Sequence, residues 1–419
     1  METIIWAWIE MGVRWLHVIA GIAWIGSSFY FVHLDSSIKH AKNLPEGAGG
    51  EAWQVHSGGF YHMVKYLVAP SRMPGELTWF KWEAYTTLLS GLALLVIVYY
   101  LGAELYLIDN HVLTLEVWQA VTISALSLVI GWIAYDLLCK SSLGKNDTAL
   151  AVVGFFLLAA LAYGFTQVFS ARGAYMQMGA LIGTIMVVNV WRLVIPNQKI
   201  VVADLIAGRQ PEARLGNEAR QRSLHNNYLT LPVLFVMISN HSPLAYASRW
   251  SWIIFALILL IGAAIRHFFN VRHRGGASPW WSWGVAAAGM VLVIWLSSFP
   301  PIGPASDGAA GAGAKATGRA EVIFAMVEEV VQTRCSACHA KEPAWEGIPV
   351  APKGVMLETA AQIRAQAGRI ALNAVWSHAM PPGNITEMEP AERAAIAAWL
   401  DAGAPAGSAT TGSATKGRN

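Results

Sequence analysis

The sequence predicts an all-α protein in two parts, a polytopic membrane helix bundle of about eight transmembrane helices followed by a small helical domain. The chain has 419 residues, of which 55% are apolar and 13% are charged. Its mean hydropathy is +0.43. This composition is too apolar for a soluble protein of that length. The long apolar stretches all lie before residue 300, and the remainder of the chain has the composition of a soluble helical domain.

The apolar stretches justify the transmembrane helices one by one. They lie at residues 4–33, 84–102, 115–138, 149–169, 173–195, 224–240, 251–271 and 280–299. Each is near the length of about 20 residues that an α-helix needs to cross roughly 30 Å of hydrocarbon. The lipid bilayer is therefore a predicted partner. The first stretch has no basic leader and is too long for a cleaved signal peptide, so we expect it to be retained.

Lys and Arg alternate between the predicted loops. The odd-numbered loops hold Lys39, Lys42, Lys65, Arg72 and Lys81, then Lys140 and Lys145, then Lys199, Arg209, Arg214 and Arg220, then Arg272 and Arg274. The loops between them hold only Arg172 and Arg249. Because basic loops stay in the cytoplasm, both termini are predicted to lie outside. The net charge of +3 shows no patch that would suggest a nucleic-acid partner.

Cys335, Cys338 and His339 form a C-x-x-C-H motif, the attachment signal of a c-type haem. Two thiols at this spacing can bond both vinyl groups of one porphyrin, and the adjacent His339 can ligate the iron. Met380 lies where a small cytochrome c supplies the second axial ligand, and a thioether raises the reduction potential. A zinc site would need further ligands, and the only other cysteine is the distant Cys139.

Helical patterns at residues 321–327 and 390–400 flank these candidate ligands, and Phe324 and Trp399 are expected to pack between the two helices. The sequence thus predicts a cytochrome c domain carrying haem c. Its predicted location is periplasmic, attached to a bacterial inner membrane. The predicted boundaries are 1–301 for the membrane domain, 302–319 for a flexible linker, 320–403 for the cytochrome domain and 404–419 for a disordered tail.

The first predicted helix carries ionisable residues on one face. Glu10, Arg14 and His17 are spaced by four and three residues, and Gly21 continues the face. Ionisable groups inside a membrane span are costly and point to function. Two interpretations of His17 stay open: a hydrogen-bonded group in a polar seam, or the iron ligand of a b-type haem whose ring approaches at Gly21.

A second concentration of polar residues lies at the predicted cytoplasmic ends of the helices. Candidate catalytic residues there are His33, Asp35, Arg192, His225, Asn226, Arg266 and His267, with Asp136, Asn189 and Asn227 nearby. Buried arginines and amides suit a small planar anion, because Arg offers a planar fork of donors. Taken singly, each arginine is better explained as an anchor at the membrane surface.

The segment from Arg14 to Gly26, followed by a tethered cytochrome c, resembles the bacterial membrane-bound urate oxidases (urate hydroxylases). The resemblance extends to about residue 403. The spacing of His17 and Trp24 is also similar to the first helix of b-haem-binding membrane proteins of the protoporphyrinogen oxidase type.

The resemblance implies hydroxylation of urate to 5-hydroxyisourate, with water as the oxygen donor. Two electrons would leave through the cytochrome to a respiratory-chain acceptor, such as a soluble cytochrome or a terminal oxidase. Two alternatives stay open. One is oxidation of quinol or another small metabolite by the same architecture. The other is a membrane module that transfers electrons without catalysis.

Overall fold

The computed structural model describes residues 2–70, 73–298, 316–346 and 348–404. Within these residues, ten α-helices lie before residue 300. They are α1 (Glu2–Ser37), α2 (Trp82–Tyr100), α3 (Ala103–Tyr106), α4 (Val117–Lys140), α5 (Asp147–Thr166), α6 (Ala171–Ile206), α7 (Ala213–Ser239), α8 (Pro243–Tyr246), α9 (Ser251–His273) and α10 (Trp281–Ser297). Two of them contain π-helical turns, at Leu95–Tyr100 in α2 and Val190–Val194 in α6.

The predicted stretches all fall on these long helices. Within the described residues, six helices are long and apolar enough to cross a membrane: α1, α2, α4, α5, α6 and α9. The stretches at 224–240 and 280–299 correspond to α7 and α10. The first half of α7 is polar, and α10 has only 17 residues. The apolar helices are consistent with a membrane protein. The number of spans depends on whether α7 and α10 also cross the membrane.

Local sequence signals set several helix boundaries. The Asn146 side chain accepts hydrogen bonds from the backbone N–H groups of Thr148 and Ala149 at the start of α5. Ser170 does the same for Gly173 at the start of α6. Side-chain oxygens at these positions satisfy N–H groups that have no partner inside the helix. Such caps fix the residue at which each helix begins, and therefore which residues lie in the connecting loops.

A β-hairpin interrupts the helical architecture between α1 and α2, and the all-α prediction missed it. Its antiparallel strands are β1 (Ala48–His56) and β2 (Gly59–Tyr66). The turn residues Ser57 and Gly58 have φ values of 50° and 77°, as in the two-residue turns that match strand twist. Trp53 stacks on the cross-strand His62 with ring centroids 4.1 Å apart. Residues 48–66 of the first loop thus form an ordered element at one end of the bundle, here called the hairpin end.

Helix α6 lies at the centre of the membrane domain. Its buried side chains pack with residues of α2, α4, α5, α7 and α9 in the main apolar core. Close approach is allowed by small residues: a Cβ on Gly179 would lie 2.9 Å from Val236, and one on Gly131 would lie 2.4 Å from Leu181. Helix α1 packs chiefly against α2. Polar groups on α6 and α7 are therefore enclosed, whereas much of α1 is at the periphery.

The C-terminal part forms its own small helical domain. Its helices are α11 (Ala316–Arg334), α12 (Ala360–Ala365), α13 (Ala367–Ile370) and α14 (Pro390–Asp401), with short turns at Pro352–Gly354, Ala371–Val375 and Pro382–Asn384. Phe324 and Trp399 have ring centroids 5.7 Å apart, as the helical patterns predicted. Residues 316–319, which were predicted to be linker, are the first turn of α11. Residues 302–315 of that linker and residues 405–419 of the predicted tail lie outside the described residues.

The small domain contacts the end of the bundle opposite the hairpin, here called the docking end. The backbone N–H of His378 donates to the carbonyl of Ala247, which follows α8, over 3.3 Å. The turn at Pro382–Asn384 lies against α3. The loops that the small domain contacts are among those with few Lys and Arg residues. The small domain thus lies at the end away from the basic loops, and the side of the membrane that each end faces stays a prediction.

Candidate functional site

A polar seam lies at the hairpin end between α1, α7 and α9. It consists of Phe29, His33, Asn227, Arg266, Asn270 and His273, and we call it the Arg266 seam. Its α9 members lie at positions i, i+4 and i+7, which form one face of a helix. That face meets the last turns of α1, where Phe29 and His33 are also four residues apart. The three helices thus converge on one strip of polar groups, in which Asn227, Arg266 and Asn270 are buried and His33 is exposed.

Arg266 is the charged centre of the seam. Its Nε donates to Asn227 Oδ1 over 3.2 Å, and its Nη2 donates to Asn270 Oδ1 over 3.2 Å. The guanidinium carbon lies 4.0 Å from the centroid of the Phe29 ring, a cation–π arrangement. Arg266 is 6% exposed and Asn227 is fully buried. Within the described residues, no carboxylate forms an ion pair with Arg266.

Unpaired polar atoms surround this arginine. The buried Asn227 Nδ2 and His273 Nδ1 have no hydrogen-bond partner. The His273 ring lies 4.8 Å from that of His33, edge to face. A buried charge without a counter-ion and buried donors without partners are costly. Arg266 and these unpaired atoms are therefore candidates for binding a small anion with polar edges.

A second polar cluster lies on the other side of α7. His225 Nδ1 is 2.7 Å from the Tyr135 hydroxyl, and Asn189 Nδ2 donates to that hydroxyl over 3.0 Å and to Asn226 Oδ1 over 3.2 Å. Arg222 Nη2 donates to Asp136 Oδ1 over 2.8 Å. The charge of this arginine is thus neutralised within the protein. Of the two buried arginines of the membrane domain, Arg222 and Arg266, only Arg266 has no carboxylate partner among the described residues.

The structure distributes the predicted catalytic residues over several places. His33 and Arg266 lie in the Arg266 seam, and His225 and Asn226 lie in the second cluster. His267 Nδ1 is 3.3 Å from the hydroxyl of Tyr228. Asp35 is exposed and accepts from Lys65 Nζ over 2.6 Å. Arg192 is exposed. Asp35 and Arg192 are thus outside both clusters.

Sequence reasoning missed five members of these clusters: Phe29, Tyr135, Arg222, Asn270 and His273. A signal for two of them was present. Asn270 and His273 lie one and two turns beyond Arg266 on the same face of an apolar helix. Phe29 carries no such signal, because an aromatic residue in an apolar helix is ordinarily core or lipid-facing.

His17 points from α1 toward α2. Its Nδ1 lies 3.0 Å from the carbonyl oxygen of Thr87 and 3.1 Å from Ser90 Oγ. A Cβ on Gly91 would lie 3.0 Å from His17 Cε1, whereas one on Gly21 would meet nothing within 4 Å. The glycine that makes room for the imidazole is therefore on α2. With Nδ1 donating to the Thr87 carbonyl, Nε2 is the ring nitrogen left to accept or ligate.

The C-x-x-C-H motif lies directly after α11. Cys335 and Cys338 are unpaired, half-buried thiols. His339 Nδ1 lies 2.9 Å from the Val355 carbonyl oxygen. A histidine that ligates a metal almost always donates its other ring N–H in this way. The carbonyl of Met380 accepts from Arg393 Nη1 over 2.9 Å. With this hydrogen bond in place, His339 Nε2 is left to ligate an iron, so the residues of the motif are chemically suited to hold a covalently bound haem.

A zinc site fits these residues less well. Burial raises the pKa of Cys335 to about 12 and raises that of Cys338, whereas zinc binds thiolates. Throughout the described part of the chain, no three His, Cys, Asp or Glu side chains are grouped so that they could hold a metal ion. The thiols are thus better suited to carbon–sulfur bonds than to metal coordination.

Fold and site together describe a helical protein with apolar helices long enough to span a membrane, a buried arginine in a polar seam at one end and a small helical domain at the other. Residues 3–297 match the model of the urate oxidase N-terminal family. Because the match covers more than half of the chain, the protein belongs to that family. Membership in this family indicates that the protein has a urate-related function and is an oxidoreductase. No curated protein and no solved structure matches the chain.

Proposed function

We propose that this protein oxidises urate to 5-hydroxyisourate in the membrane and passes the electrons to a c-type haem on its own C-terminal domain. Urate and water give 5-hydroxyisourate, two protons and two electrons, so the balance requires an electron acceptor and no oxygen. The observation that carries the proposal is Arg266, a buried guanidinium with no carboxylate partner, in a chain of the urate oxidase N-terminal family.

The chain's own residues account for recognition of the anion. Urate at neutral pH is a planar monoanion with carbonyl and N–H edges. Arg266 supplies the compensating charge, and its planar fork of N–H groups matches such an edge. Asn227 offers a donor through its unpaired Nδ2. His33 and His273, whose ring centroids lie 4.8 Å apart, supply imidazole nitrogens at the edge of the site.

The C-terminal domain is proposed to hold haem c through Cys335, Cys338, His339 and Met380. The haem, when bound, supplies a one-electron acceptor whose potential a thioether ligand raises. The Val355 carbonyl fixes the His339 tautomer, and Arg393 fixes the Met380 backbone. A soluble cytochrome or a terminal oxidase is the proposed onward acceptor.

Urate turnover by the full chain should release no hydrogen peroxide, because the electrons leave through the C-terminal domain. Membranes containing the protein, given urate and oxygen, would be assayed for peroxide with a peroxidase-coupled dye while urate absorbance is followed. Peroxide formed in equal amount to the urate consumed would contradict the proposal. Urate loss that continues undiminished in a Cys335→Ala, Cys338→Ala double variant would also contradict it.

The hairpin end is proposed to face the cytoplasm and the docking end the periplasm of a bacterial inner membrane. The basic loops support this orientation. Reporter fusions after Lys65 and Arg214 should therefore report a cytoplasmic location, and one after Pro304 a periplasmic location. A cytoplasmic signal from the Pro304 fusion would reverse the orientation and remove the route by which a c-type haem is attached.

A b-type haem ligated by His17 is proposed as a relay between the two ends. Its support is the free Nε2 of His17 and the length of hydrocarbon that electrons would otherwise cross. A pyridine haemochrome spectrum of the purified full chain should show a b component beside the c component, and His17→Ala should remove only the b component. Absence of b haem in the wild-type protein, or its persistence in the variant, would refute this ligand.

A further inference from the structure

The turn that carries Met380 is also the segment by which the C-terminal domain touches the membrane domain. We call residues 378–384 the docking turn. A Cβ added to Gly383 would lie 2.5 Å from the carbonyl oxygen of Ile108 and 3.1 Å from that of Glu104. Ala379 is 8% exposed and belongs to the apolar core of the membrane domain. Backbone meets backbone here, so only glycine fits at position 383.

The membrane-domain side of this contact is held rigidly. Ser170 donates through its backbone N–H to the Leu107 carbonyl over 2.9 Å, and through Oγ to the Tyr106 carbonyl over 2.7 Å. Arg172 Nη2 donates to the Tyr246 hydroxyl over 3.0 Å. Its guanidinium lies 5.3 Å and 5.4 Å from the Tyr106 and Tyr246 ring centroids. These contacts join α3, α6 and α8 into one preformed surface.

The docking turn is equally fixed within its own domain. Arg393 of α14 is 4% exposed. It donates to the carbonyls of Ala374 and Met380 over 2.8 and 2.9 Å and to Asn384 Oδ1 over 3.3 Å. Three hydrogen bonds from one buried charged group hold both ends of the turn. Met380 therefore has a fixed position relative to the surface that the turn contacts.

We propose that this contact is the port through which electrons enter the C-terminal domain, and that Gly383 is the residue that permits it. The proposal rests on the proposed function. Electron tunnelling slows steeply with distance, so transfer between two domains follows their closest approach. Here the closest approach includes Gly383, three residues after Met380, in direct contact with the carbonyls of Glu104 and Ile108. Docking at this turn shortens the distance that electrons cross between the two domains. A longer distance would slow electron transfer.

Gly383→Ala tests the port, and Gly354→Ala is its matched control. Both glycines have left-handed φ values, 54° and 64°, but a Cβ on Gly354 would meet nothing within 4 Å. Reduction of haem c by urate in the purified full chain, followed by stopped flow, should slow at least tenfold in Gly383→Ala. The rate in Gly354→Ala should equal that of the wild type. The haem potential should be unchanged in both. An unchanged rate in Gly383→Ala, or equal slowing in both variants, would overturn the proposal.

A cross-link tests docking without urate. Ala247→Cys combined with His378→Cys places thiols at two residues whose backbones are hydrogen-bonded. Oxidation should join them in the otherwise wild-type chain and fail when Gly383→Ala is added. No cross-link in the first chain would overturn the proposal. If the cross-link forms but urate does not reduce the wild-type haem, the proposed function fails and the port with it, while the docking contact stands.

Discussion

Cys335→Ala and Cys338→Ala are each expected to abolish the two-bond attachment of haem, and the double variant is expected to carry no covalent haem. Under the proposed function each thiol forms one carbon–sulfur bond to the porphyrin, and the third cysteine, Cys139, lies in the membrane domain. Haem-stained denaturing gels measure the loss directly. Cys139→Ala is the matched control, because this buried cysteine lies in α4 of the membrane domain.

Met380→Ala should keep the covalent haem and lower its potential, because a thioether favours the reduced iron. A redox titration of the purified full chain measures the shift. An unchanged potential would show that another residue is the sixth ligand. Covalent haem in the double cysteine variant would refute the attachment site itself.

Arg266→Ala should reduce the rate of urate oxidation at low urate concentration by on the order of 100-fold. A charge-assisted hydrogen-bonded contact contributes about 3 kcal/mol, which corresponds to roughly that factor. Arg266→Lys should recover only part of the rate, because an ammonium group lacks the planar fork. The readout is the initial rate of haem c reduction at several urate concentrations.

Arg192→Ala is the matched control for this experiment. Arg192 is also near the hairpin end but is exposed and outside both polar clusters. Its loss should leave the rate within about twofold, as for surface changes of less than 0.5 kcal/mol. A full rate in Arg266→Ala with normal haem content would exclude the Arg266 seam as the substrate site. Equal losses in both variants would point to an effect on membrane insertion.

The helical architecture was predictable because the signal is composition over whole stretches. A run of about 20 apolar residues identifies a spanning helix whatever its neighbours are. Helix α7 shows where this reasoning weakens, since its polar first half lowers the mean hydropathy although it packs beside α6 and α9. The hairpin was missed because its turn, Ser57 and Gly58, is not among the strong sequence signals for a two-residue turn.

The sequence predicted that a buried polar site exists, but it identified only some of the residues that form it. Ionisable residues inside apolar helices stand out in a sequence, and Arg266 was recognised in this way. Whether an arginine is neutralised depends on which helix faces it. Arg222 meets Asp136 of α4, whereas Arg266 meets only amides and an aromatic ring. Whether an arginine meets a carboxylate depends on how the neighbouring helices are rotated and packed. The spacing of residues along one helix does not give that information.

The most direct measurement of the account is the reduction of haem c by urate in membranes without oxygen. Urate would be added anaerobically to membranes containing the full chain, and the c-type absorption band near 550 nm would be followed together with the loss of urate. If urate is oxidised at the Arg266 seam and its electrons reach haem c, the reduced band should appear with two electrons for each urate consumed. Arg266→Ala should suppress this band. An oxidised haem c that urate leaves unchanged, while dithionite reduces it fully, would contradict the account.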